Sequence, residues 1–261
     1  MKHIFSFIAL CLVFNFLQGQ NSLSKKNAGS AKELKGEIYT LVCFISEEGQ
    51  AAWSTRQKDS LLAHTREALH WIDKQAKAQK IDIKFTKTGV FGREEDIKFS
   101  FIEKGSGSAT EKLDWVSQVL YKVGYQSTLD FHEQIRTKEK ADQIHVIIFA
   151  KGKGRSYAIP YLENANKELY FVEGTIIFEK VETYHYTASI AHEILHLYGA
   201  IDLYKTHAQS AQNAQKARNI FPKSIMTKIS HNIHTLNIDE INSWLIGWSN
   251  ETKPWYDAFL Y

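Results

Sequence analysis

The stretch SIAHEILHLYGAID, Ser189 to Asp202, constrains this chain more than any other. Its apolar residues predict a buried helix, within roughly Tyr184 to Gly199, yet His192, Glu193 and His196 place three polar groups on one side of it. On a helix, residues i and i+4 lie one turn apart on the same face, so both imidazoles can reach one metal ion. The glutamate beside the first histidine is then placed to take a proton from water activated by that ion. Gly199 follows His196 by three residues, and Asp202 follows by three more. Glycine can adopt a positive φ and end a helix sharply, after which the chain can turn back and deliver Asp202 to the same ion.

Read as H-E-x-x-H-x-x-G-x-x-D, the residues His192, Glu193, His196, Gly199 and Asp202 resemble the motif of the metzincin zinc metallopeptidases, in the snapalysin-like variant with aspartate as third ligand. That family also carries a methionine turn beneath the metal. The segment KSIMTK supplies Met226, the only methionine here besides the initiator. The resemblance implies an α+β, metzincin-like zincin fold: an α/β-like N-terminal half with a twisted mixed sheet and helices, and a helical C-terminal subdomain. It implies Zn²⁺ on His192, His196 and Asp202, Glu193 as general base, and Met226 as a hydrophobic floor that does not ligate. It also implies a polypeptide substrate lying between the halves and pairing with an edge strand. SYAIPY and LYFVEGTIIF are the candidate edges. One departure is that some relatives carry a tyrosine two residues after the methionine, where this chain has Lys228.

Other arrangements stay open. His207 could replace Asp202, and a gluzincin-type site would take Glu240 as its third ligand, leaving Gly199 and Met226 unexplained. His185, His231 and His234 read as surface or core histidines. A structural zinc site would close four ligands and need no base, which Glu193 argues against. An exported binding module with an accidental H-E-x-x-H, and an enzyme acting on a non-peptide amide, are compatible with the same residues.

The chain has 261 residues, 44% apolar and 13% aromatic, enough for a substantial core. Its net charge of +3 gives no footprint for nucleic acid or an acidic membrane surface. Lys2 and the apolar run from Ile4 to Leu17 fit a secretory signal peptide over residues 1–20, since a bilayer span needs roughly 20 apolar residues. Residues 21–35 read as a polar, flexible leader, and 36–261 as one catalytic domain divided near residue 200. Without its signal the chain keeps only Cys43, a small buried hydrophobe, so no disulfide forms. A secreted, bacterial, monomeric protein without stable membrane insertion is the expectation.

Strand-like segments fall at Glu37–Ser46, Ile81–Thr86, Asp96–Glu103, Gln143–Ala150 and Lys167–Lys180. Helical periodicity marks Thr55–Gln79, Glu111–Val123 and Ile238–Trp248. KGKGRS reads as a plain connection, His207–Asn219 as a polar stretch, and WYDAFLY as a tail docked on the body of the fold.

Overall fold

The computed structural model describes residues 33–102, 109–158, 173–179, 186–206 and 209–260. The expected signal peptide, most of the leader, His185, His207 and residues 159–172 of the candidate edge segments lie outside them. No helix among the described residues is long and apolar enough to cross a membrane.

Strand β1 (Gly36–Glu47) is buried almost throughout, as befits a strand covered on both faces. Beside it run β2 (Ile83–Phe91), β3 (Ile97–Phe99) and β4 (Gln143–Ala150), all parallel to β1. Beyond β4 comes parallel β6 (Glu173–Phe178), then antiparallel β5 (Tyr157–Ala158) at the edge. The sheet order is β2-β1-β4-β6-β5, with β3 pairing β1 beyond the end of β2. The result is a mixed α/β architecture on a mostly parallel sheet. SYAIPY therefore supplies the edge through Tyr157 and Ala158, whereas LYFVEGTIIF supplies an inner strand.

Alternation along β1 and β4 sends successive side chains to two separate cores. On one face Ile38, Val42, Phe44, Ile147 and Phe149 meet α1 (Thr55–Ala78) and α4 (Tyr186–Leu197). On the other, Leu41, Cys43, Val146 and Ile148 meet α2 (Ala109–Lys122) and α3 (Thr128–Glu139). Helix α1 starts at a full capping box between Ser54 and Gln57, and buries Leu61, Leu62, Ala68, Leu69 and Ile72. Cys43 is fully buried and unpaired, as its setting predicts.

The sequence expectations hold for β1, β4, α1, α2 and α4 to within a few residues. Others differ from the expectation. Asp96–Glu103 is strand only at Ile97–Phe99. The polar stretch after His207 contains α5 (Ala211–Ile220), capped by Ser210 and burying only Ala214 and Ala217. The leader does not run free to Lys35, because Leu34 is fully buried. Its N–H reaches the Ile246 carbonyl at 3.3 Å and its carbonyl accepts from Trp248 Nε1 at 2.7 Å. The last helix is shorter than expected, α6 (Glu240–Leu245), and the aromatic tail docks through buried Tyr256 and Phe259.

One polar pair lies within this packing. His145 of β4 is fully buried, with Nε2 2.9 Å from Thr40 Oγ1 and Nδ1 3.2 Å from Tyr198 Oη. Burial lowers its pKa to about 3. The unfolded chain therefore binds a proton that the fold refuses between about pH 6.5 and pH 3, so stability is complete above 6.5 and declines below it. From pH 7 to pH 5 this one group should cost ~2 kcal/mol. Urea titrations at both pH values should show the parent losing that much more than His145→Gln; equal losses would place the histidine's proton elsewhere.

Candidate metal centre

Helix α4 lies against the sheet and α1, and every residue from Tyr186 to Leu195 is buried. Its C-terminus is a Schellman motif: Ala200 N–H bonds Leu195 O at 3.1 Å, Gly199 N–H bonds His196 O at 3.0 Å, and Gly199 takes φ +100°. A side chain at Gly199 would be strained there. The reversal brings Asp202 back over the helix, as the spacing predicts.

His192 Nε2 and His196 Nε2 each lie 3.1 Å from Asp202 Oδ1, and 3.1 Å from each other. A tetrahedral ion with ligand bonds of about 2.05 Å would need edges of roughly 3.3 Å, so the triangle fits one zinc-sized cation. Second contacts fix the tautomers. His192 Nδ1 is 3.1 Å from the Ile225 carbonyl, and His196 Nδ1 is 2.7 Å from the Ala200 carbonyl. A carbonyl accepts only, so each Nδ1 donates and each neutral Nε2 presents a lone pair. Asp202 Oδ1 is itself buried without a conventional donor. The point they face can take a metal ion, or a proton held between the histidines and Asp202.

The electrostatics agree. Burial opposes charge on His196, but the hydrogen bond and charge of Asp202, with Glu193 behind them, raise it to about 9. Burial likewise pushes Asp202 upward, yet His192 and His196 hold it far below the usual carboxylate range. Two nitrogens and one carboxylate oxygen suit zinc, and also iron or manganese. Among the described residues these three are the only cluster with metal-ligand spacing.

Glu193 is buried beside His192, and its charge acts on both His196 and Tyr204. Met226 is fully buried in the turn after Ser224, and its carbonyl accepts from Leu203 N–H at 2.8 Å. Glu240 pairs with Lys253 and is not part of the cluster. His231 and His234 are exposed, with His234 3.4 Å from Glu67, and Lys228 is exposed as well.

Two residues beside the centre carry no sequence signal. The ring of Tyr204 stacks on His192, with centroids 6.1 Å apart. Burial, then the charge and hydrogen bond of Asp202, drive its pKa well above the ordinary value, against a hydrogen bond from Arg155. Tyr204 is thus a neutral donor to the third ligand. Arg155 comes from the glycine-rich loop KGKGRS, so that loop does more than connect strands.

Compared with known proteins, the chain matches no protein-family model, and no curated protein matches its sequence.

A single carboxylate atom completing the triangle gives a sharp expectation. Asp202→Asn keeps the shape but loses the charge, and zinc affinity in chelator competition should fall by more than the roughly 10–100-fold of an outer-shell change. Unchanged affinity would remove Asp202 from the ligand set.

Proposed function

We propose that this protein is a secreted zinc metalloendopeptidase of the metzincin type, in the snapalysin-like variant. One observation carries the reading: the Nε2 atoms of His192 and His196 and the Oδ1 of Asp202 converge at 3.1 Å, on a helix that also carries Glu193 and ends at Gly199. Three ligands with an adjacent carboxylate match a catalytic rather than a structural site, because a structural zinc site closes with four ligands. The sheet order with one antiparallel edge strand, and the buried Met226 next to Ile225, whose carbonyl holds His192, support the same reading.

His192, His196 and Asp202 would hold a zinc ion, which would supply a lowered pKa for bound water and polarisation of a peptide carbonyl. Glu193 accepts the proton of the attacking water, whose oxygen bonds to the carbonyl carbon. The C–N bond breaks, and Glu193 returns that proton to the departing amine. Tyr204, through its hydroxyl on Asp202, holds the third ligand in place. An extended peptide would lie along the β5 side of the sheet, where β5 is also close to α4. The apolar N-terminal run from Ile4 to Leu17 supports export.

Metal analysis of the purified chain lacking residues 1–20, beside Glu193→Gln, tests both halves of the reading with casein as substrate. The parent should hold one zinc and cleave; Glu193→Gln should keep the zinc and lose about 10²–10⁴-fold in rate. A parent that holds zinc and leaves casein and shorter peptides intact would sink the endopeptidase assignment, and one that holds no zinc would sink the site as well.

A further inference from the structure

Behind the metal triangle lies a second, wholly buried polar cluster that the reaction does not use. Asp239 caps α6 in the ordinary way, Oδ1 accepting from Asn242 N–H at 3.0 Å. Its other oxygen has a different task. Oδ2 accepts from Ser224 Oγ at 2.6 Å and from Asn242 Nδ2 at 2.9 Å. Ser224 Oγ in turn accepts from Met226 N–H at 3.0 Å, and Asn242 Oδ1 accepts from Ile201 N–H at 2.7 Å. Ser224 and Asn242 have no exposed surface, and Asp239 has 5%.

The ends of this chain of bonds are what matter. Met226 follows Ile225, whose carbonyl fixes the tautomer of His192. Ile201 precedes Asp202, the third member of the triangle. The backbone between Lys223 and Ile225 is further tied to Asn237, by bonds of 2.9 and 3.0 Å. A helix cap alone would need neither the serine nor the asparagine amide. We propose that Ser224, Asp239 and Asn242 form a bracket that sets the distance between the His192 tautomer lock and Asp202, making them positioning residues for the bound metal. The inference rests on the metal reading above and adds the residues that hold its geometry.

Short, direct bonds between fully buried groups suit that task. Each link passes through a side chain of few rotatable bonds, so a displacement at either end is transmitted rather than absorbed. Outer-shell partners of this kind typically alter metal affinity about 10–100-fold when removed.

The test measures zinc affinity by chelator competition at pH 7, and the visible spectrum of the Co²⁺-loaded protein, for Ser224→Ala and Asn242→Leu. A core variant on the opposite face of the sheet, Val119→Ala, serves as a stability control, with urea midpoints recorded for all. Both bracket variants should bind zinc about 10–100-fold more weakly and shift the Co²⁺ bands. Ser224→Thr, which keeps the hydroxyl, should restore both, and Val119→Ala should change neither despite its lower urea midpoint. Should Asn242→Leu not fold, Ser224→Ala, lacking a single oxygen, decides the matter. Folded variants with parental affinity and spectrum would overturn the bracket while leaving the metal site intact. A parent that binds no metal would overturn the site itself, and the bracket with it.

Discussion

Two imidazole nitrogens and a carboxylate oxygen meet at one buried point that favours positive charge, whether a proton or a metal ion, and the fold is arranged so that they cannot turn away. His192 and His196 each spend their Nδ1–H on a backbone carbonyl, of Ile225 and Ala200. Their Nε2 atoms are thereby committed to face Asp202 Oδ1 across 3.1 Å. Such an arrangement is costly unless positive charge sits at that point, since a buried carboxylate must be compensated by a proton donor or a metal ion. The surrounding structure must therefore be stable enough to hold it. Helix α4 supplies that stability by burying Ile190, Ile194 and Leu195 against the sheet and α1.

What the helix cannot provide is the third group, because no residue on one helical face can approach its own histidines from above. The chain solves this by reversing at Gly199, with a positive φ that any side chain would strain. The reversal has to be anchored on its far side as well. Leu203 N–H bonds the Met226 carbonyl at 2.8 Å, so the Asp202 loop and the methionine turn are one backbone unit. Met226 itself is fully buried in the apolar core that also holds α4.

Much of this was legible in the sequence because it depends on short-range spacing. His192, His196, Gly199 and Asp202 lie within eleven residues, and helix geometry alone relates the first two. β1 and β4 were readable for the same reason, as unbroken β-branched and aromatic runs. Helix α5 was not, since it buries only Ala214 and Ala217 and so shows no apolar stripe. Helix α3, missed as well, buries just Thr128, Phe131 and Ile135, too few for a clear period. Tyr204 and Arg155 escaped because their meeting is tertiary: the two lie on separate loops, and no local pattern marks either. The carbonyls of Ile225 and Ala200 escaped for a simpler reason, that backbone atoms have no letter in a sequence.

Apolar packing is continuous across the boundary near residue 200 that the motifs suggest within one domain. One apolar core runs from Leu34 through the sheet, α1 and α4 to Met226, Trp244 and Phe259. Polar ties cross the same boundary: Gln79 Nε2 to Ser243 Oγ at 2.9 Å, and Trp248 Nε1 to the Leu34 carbonyl at 2.7 Å. Two imidazoles therefore come from one half and the carboxylate from the start of the other, within a core that neither half completes alone. Precision at the triangle follows from this, because interdigitated side chains at near-crystalline density leave the two halves few alternative placements. The residues that join the halves are thus part of what holds His192, His196 and Asp202 at 3.1 Å, although they lie well outside the motif.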